Sequence, residues 1–129
     1  MSLYGLNNRF MILKLYNLKK LDEIAQGDQG FIWDMLITFV ENVTAEIRGI
    51  QSFKLAENWT SIAETAHKLA SNFAYLGADR LHALAVDIEK SVIIDHNLTG
   101  VADKTDELCN GGILLVDQLK KDFDITDKI

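Results

Sequence analysis

Apolar residues recur every three to four positions along most of this chain, a period typical of amphipathic α-helices. No sustained stretch alternates apolar and polar residues as a half-buried strand would, and the sequence contains no proline to interrupt a long helix. The pattern therefore predicts an all-α protein.

Five helices follow from the apolar stripes and from the residues that begin or end helices. They are predicted at about 18–25, 28–53, 58–76, 78–94 and 99–122, with residues 95–98 as a loop. Asn17 and Asn58 are the predicted N-caps, and Gly27 and Gly77 lie where a left-handed residue commonly ends a helix. Gly49 is a weak point at which the second helix is expected to fray or end.

Short connections between the last four helices favour antiparallel neighbours. We therefore predict an up-down-up-down four-helix bundle with a short additional N-terminal helix. Residues 17–129 are assigned to this bundle and residues 1–16 to an N-terminal extension, of which residues 1–3 could be an expression remnant. Gly112 falls on the apolar stripe of the fifth helix, where close approach of a neighbouring helix or a kink would each account for it.

The composition of the chain argues against several classes of function. The 129-residue chain carries a formal net charge of -6 and no basic stripe, so we expect no nucleic-acid partner. No apolar run approaches the length of a membrane span. A single cysteine, Cys109, cannot form an internal disulfide, which favours a cytoplasmic location. Because no histidine, cysteine or carboxylate set has a convincing metal spacing, we expect neither a metal site nor a cofactor.

His67 is the main candidate for chemistry. On the third helix it lies roughly 110° from the centre of the apolar stripe, a flank position that is neither buried nor fully outward. A neutral imidazole nitrogen is a competent nucleophile near pH 7. Glu64 is the one long side chain among its neighbours, and the others are small: Ala63, Ala70, Ser71 and Ala74. These small residues are expected to leave the imidazole open to a partner protein.

The run Ala66-His67-x-Leu69, followed by Leu76-Gly77-Ala78, resembles the signature of histidine-containing phosphotransfer domains. Asn58 also matches the usual cap of the histidine helix, and the resemblance covers roughly residues 17–122. It implies a four-helix bundle in which His67 accepts a phosphoryl group from the aspartyl phosphate of one receiver domain and passes it to another. The implied partners are receiver domains of response regulators, a hybrid sensor histidine kinase, or both, and the implied state is a monomer. Any Mg²⁺ would belong to the receiver.

The sequence departs from that family at two positions. The family usually has lysine three residues after the histidine and glycine next, whereas this chain has Ala70 and Ser71. Lys68 and Ser71 are therefore the candidate phosphoryl contacts. Without a phosphate-cradling glycine loop, the protein is expected to carry a phosphohistidine without autokinase activity. A degenerate module that docks a receiver or kinase without carrying phosphate is the alternative, and a plain helical scaffold is a third.

A docking surface for the partner is expected around His67. Its candidates on the third helix are the neighbouring residues Ala63, Glu64, Ala70 and Ala74. Phe31 and Met35 on the second helix are apolar beyond what its core stripe needs, which fits either a docking surface or packing against the first helix.

Overall fold

The computed structural model of the protein describes residues 14–125. These residues form the α-helices α1 (Lys19–Ala25), α2 (Gln29–Leu55), α3 (Trp59–Tyr75), α4 (Asp79–Glu89) and α5 (Val101–Asp122). One turn of π-helix, Lys90–Ile94, continues α4. No strand occurs in residues 14–125, and the all-α prediction is confirmed. Predictions about residues 1–13 and 126–129 lie outside the described residues.

Polar side chains begin the helices where the sequence places them. Asp28 accepts a hydrogen bond from the backbone N–H of Phe31 at 3.0 Å, and Asn58 accepts one from Ser61 at 3.1 Å. Each such cap contributes about 1 kcal/mol to helix stability. The prediction of Asn17 as the N-cap of α1 is wrong by one residue: Leu18 occupies the cap position without a side-chain cap, and Asn17 accepts from the N–H of Lys19 at 2.8 Å.

Two helix boundaries differ from the predictions for a physical reason. α2 does not end at Gly49, because Ile47 and Ile50 on either side are buried and their packing outweighs the low helix propensity of glycine. The regular part of α4 ends at Glu89 rather than at residue 94. There the chain widens into the π turn, closed by a 2.9 Å bond from the N–H of Asp95 to the carbonyl of Lys90.

The core lies between the four long helices and receives one large side chain from α1. Its largest fully buried members include Leu21, Leu36, Ile50, Ile62, Leu69, Phe73, Ile88, Leu108 and Leu115. Thr105 is a polar residue buried among them, and its hydroxyl donates to the carbonyl of Val101 at 2.7 Å. The buried hydroxyl therefore has its hydrogen bond and costs little stability.

In neighbouring helices, residues later in one helix contact residues earlier in the next. Phe39 of α2 stacks on Tyr75 of α3, with ring centroids 5.9 Å apart. Seven residues further along α2, Glu46 meets the earlier α3 residue Asn72, whose amide donates to it at 3.0 Å. The same reversal holds between α4 and α5 for the ion pairs Arg80–Glu107 and Asp87–Lys104. This is the order that antiparallel neighbours give.

Gly112 lies where α5 passes α2. A Cβ atom at this position would stand 2.4 Å from Cδ1 of Ile47, and α5 continues through the glycine without interruption. Close approach of the two helices, and not a kink, is therefore the reason for glycine here.

Residues before position 17 already pack against the bundle. Tyr16 is buried, and its hydroxyl donates to the carboxylate of Asp122 at 2.6 Å. The N–H of Leu15 donates to the side chain of Gln118 at 2.7 Å. Lys14 also pairs with Asp122, so residues 14–16 of the predicted extension contact α5.

Candidate functional site

His67 projects from the middle of α3 at the edge that faces α4. Its side chain is 69% exposed, as the flank position predicts. The Nδ1 atom lies 2.9 Å from Oε2 and 3.1 Å from Oε1 of Glu89, the last residue of α4. Because a carboxylate accepts hydrogen bonds, Nδ1 carries the donated proton, and in the neutral ring the lone pair is then on Nε2. The contact therefore holds one edge of the ring, and Nε2 is the ring nitrogen that the carboxylate does not contact.

Glu89 contacts His67 in the structure, although nothing in the sequence-based prediction gave it a role. It lies 22 positions after His67, and nothing in the sequence pairs the two residues. The pairing could have been found only from the register between the antiparallel helices α3 and α4, which follow each other around Gly77. A carboxylate on the flank of α4, next to the buried Ile88, falls opposite the flank of α3 once that register is known.

Two of the predicted docking residues are not on the surface. Ala63 is completely buried and Ala70 is 6% exposed, so neither can contact a partner protein. α4 covers this side of α3, where His82 donates from Nδ1 to the carbonyl of Ala70 at 2.8 Å. The alanines are small because α4 packs closely against α3, and the expectation that they form the docking surface is wrong.

The remaining α3 candidates stay accessible to different degrees. Glu64 and Ser71 are exposed one turn before and one turn after His67. Ala74 is half-buried and lines a shallow depression together with Lys19, Lys20 and His82. The accessible surface beside His67 therefore follows the groove between α3 and α4.

Lys68 faces away from this groove. Its charge acts on the carboxylate of Glu46, which belongs to α2. Burial raises the pKa of Glu46, and the Asn72 hydrogen bond and the Lys68 charge oppose this shift. The structure does not bring Lys68 together with His67.

Phe31 and Met35 lie far along the bundle from His67. The stack of Phe39 on Tyr75 sets the register between α2 and α3. Phe31 comes eight residues before Phe39, and His67 comes eight residues before Tyr75. Because the two helices run in opposite directions, these two offsets add, and Phe31 and His67 are about 24 Å apart along the bundle axis. Met35 packs against the core, whereas Phe31 is 37% exposed. Both remain candidates for the outer part of a docking surface.

Apolar residues on α4 flank the contact between His67 and Glu89. Val86 and Ile93, three before and four after Glu89, are 42% and 43% exposed. Val86 lies one turn before Glu89 on the same side of α4, and Ile93 lies in the π turn that continues the helix. Both are therefore exposed apolar residues within about one turn of Glu89, the residue that contacts His67.

The α3 helix with His67 sits within a region that a family model recognises. The chain matches the model of the Hpt domain over residues 34–124, which is more than half of its length. The chain belongs to the Hpt domain family. No curated protein and no solved structure gives a significant match to it.

Membership fixes the broad role of this Hpt domain. Such domains take part in histidine phosphotransfer in phosphorelays and interact with receiver domains and kinases of two-component systems. The matched region contains most of α2 and all of α3, α4 and α5, but not α1.

Metal binding and membrane crossing depend on the possible metal ligands in residues 14–125 and on the apolar character of their helices. No group of three or more His, Cys, Asp or Glu residues in this part of the chain is placed to hold a metal ion. No helix there combines the length and the apolar character needed to cross a bilayer.

Proposed function

We propose that this Hpt domain relays a phosphoryl group between receiver-domain aspartates, with His67 as the phosphoacceptor. The observation that carries the proposal is the state of the imidazole. It is two-thirds exposed, its Nδ1 is held by Glu89, and its Nε2 faces away from that carboxylate. A nucleophile of this kind needs only in-line approach and charge stabilisation to accept a phosphoryl group.

The transfer step balances on these groups alone. The Nε2 lone pair attacks the phosphorus of the aspartyl phosphate, the P–Nε2 bond forms, and the bond from phosphorus to the aspartyl oxygen breaks. The receiver carboxylate leaves with the electron pair of that bond. The imidazole becomes a phosphorylated cation that keeps its Nδ1 proton, and the carboxylate of Glu89 offsets the new positive charge. The reverse sequence passes the phosphoryl group to a second receiver.

A docking module that carries no phosphate is the second candidate. It is favoured by Ala70, which stands where the family usually has lysine and is buried under α4. This candidate keeps the surface between α3 and α4 as a binding site and gives His67 no chemical role.

The deciding experiment measures label transfer from a panel of phosphorylated receiver domains of the same genome. Wild type, His67→Gln and the control His96→Gln are compared, because His96 is exposed in the loop after the π turn, away from Glu89. We expect acid-labile, base-stable label on wild type and on His96→Gln, and none on His67→Gln.

Other outcomes separate the candidates. Label that persists on His67→Gln contradicts the assignment of the phosphoacceptor. Receiver binding without label on any variant supports the docking module.

A further inference from the structure

The charges around His67 are unusual for a site that must hold a phosphoryl group. α3 and α4 with its π turn carry three strongly basic side chains, and each faces an acidic residue elsewhere. Lys68 acts on Glu46, Arg80 pairs with Glu107, and both oxygens of Asp95 accept from the ammonium of Lys90, at 2.8 and 3.1 Å. None of the three contacts is directed at His67.

The charged side chains close to His67 are carboxylates instead of basic groups. Glu89 holds Nδ1, and Glu64 is exposed one turn before His67 on α3. Lys19 and Lys20, the basic side chains at the Ala74 depression, lie about 10 Å further along the axis, two turns beyond His67. The reacting nitrogen therefore lies in a locally negative part of the surface.

This charge pattern conflicts with the needs of the reaction unless a partner corrects it. A phosphoryl group carries about -1.5 to -2 charges near neutral pH, and its transfer depends on cations close to the equatorial oxygens. Glu89 balances the positive charge of the imidazole ring, but neither it nor Glu64 can neutralise the phosphoryl oxygens, and Glu64 works against their charge. The basic side chain that this surface lacks would then come from the protein that docks on His67, in addition to any Mg²⁺ that the receiver carries.

We infer that the surface formed by Glu64, His67, Val86, Glu89 and Ile93 binds a receiver domain that presents a basic side chain to Glu64 and Glu89. This rests on the proposed function and adds the chemistry of the partner's contact surface. The apolar side chains of Val86 and Ile93 supply contact area, and the two carboxylates fix the position of the basic side chain. The same basic group then lies beside the phosphoryl oxygens during transfer.

The test measures docking without transfer. All proteins carry His67→Gln, and the probe is the unphosphorylated receiver domain that labels wild-type His67 in the transfer experiment. Binding is measured over a range of salt concentrations for Glu64→Gln, for Glu64→Lys and for the matched control Glu41→Gln. Glu41 is an exposed carboxylate on α2, so the control makes the same change in net charge away from the site.

We expect Glu64→Gln to weaken docking about 2- to 5-fold at low salt, the range of one exposed ion pair. Glu64→Lys should weaken it further, because it brings two cations together. The effect should shrink as salt screens the pair, and Glu41→Gln should have little effect.

Equal effects of Glu64→Gln and Glu41→Gln, or tighter docking of Glu64→Lys, would overturn this inference and leave the relay intact. If no receiver labels wild-type His67, the proposed function fails and this inference fails with it.

Discussion

At the scale of the residue, the Glu89 contact selects the ring nitrogen that can react. Without the carboxylate, the His67 ring is free to rotate and to place its proton on either nitrogen. We expect Glu89→Ala to slow phosphoryl transfer about 2- to 10-fold, the value of one ordinary hydrogen bond. The ¹⁵N shifts of the His67 ring should move from the Nδ1–H form towards a mixture of both forms.

Glu89→Gln separates orientation from charge, because its amide oxygen still accepts from Nδ1. It should retain the Nδ1–H form and lose less activity than Glu89→Ala. Unchanged ring shifts in Glu89→Ala would show that the contact does not position His67.

Glu46 gives a second prediction at the residue scale. Burial raises its pKa above the ordinary value of 4.5, so the folded protein holds this proton more tightly than the unfolded chain does. Stability is therefore lost as pH rises from 4.5 through the folded pKa, and the loss persists at neutral pH. We expect Glu46→Gln to be more stable than wild type at pH 7, with an advantage that fades below pH 4.5.

Urea unfolding at several pH values measures this effect. Glu41→Gln, an exposed change on the same helix, is the control. An equal pH dependence of the two variants would contradict the role of burial.

At the scale of the element, Gly77 lies just past the end of α3 and packs against the segment that precedes α1. Its φ of 63° lies in the left-handed region, as the sequence predicts for a residue just past a helix end. A Cβ atom would stand 2.3 Å from the carbonyl oxygen of Asn17, whose own N–H donates to Leu76 at 2.8 Å. Glycine is thus required here for two reasons: its left-handed backbone angle and the lack of space for a side chain.

Gly77→Ala and Gly100→Ala separate these two requirements. Gly100 has a similar φ of 76°, but a Cβ there would meet nothing within 4 Å. We expect Gly100→Ala to cost about 1–3 kcal/mol from backbone strain alone. Gly77→Ala should cost more, because the Asn17 segment must also move. Equal losses in urea unfolding would show that the contact with Asn17 adds nothing to stability.

At the scale of the whole molecule, Cys109 reports on the integrity of the bundle. Its side chain is buried in α5, and burial raises the pKa of the thiol to about 11 from an ordinary 9.0. At pH 8 the folded protein therefore contains about 100-fold less thiolate than the unfolded chain, and the thiolate is the reactive form. We expect iodoacetamide to label native protein at least that much more slowly than protein in concentrated urea.

Mass spectrometry of the labelled protein provides the measurement. Labelling at similar rates in both conditions would mean that α5 opens without global unfolding.

Local chemistry was sufficient to predict the helices and the position of His67. The caps at Asp28 and Asn58 and the left-handed Gly77 depend on a few adjacent residues, so the sequence specifies them directly. The flank position of His67 follows from helical periodicity, and its signature residues are contiguous on α3.

Only the tertiary structure decided what surrounds that histidine. The sequence determined an all-α chain and an exposed histidine, but the partner of its Nδ1 depends on the register between α3 and α4. Ala63 and Ala70 were expected on the surface, yet α4 covers them, and Lys68 turns to Glu46 on α2. The physical reason is that helical periodicity gives angles around one helix, whereas burial and charge at its flanks depend on which helices pack there.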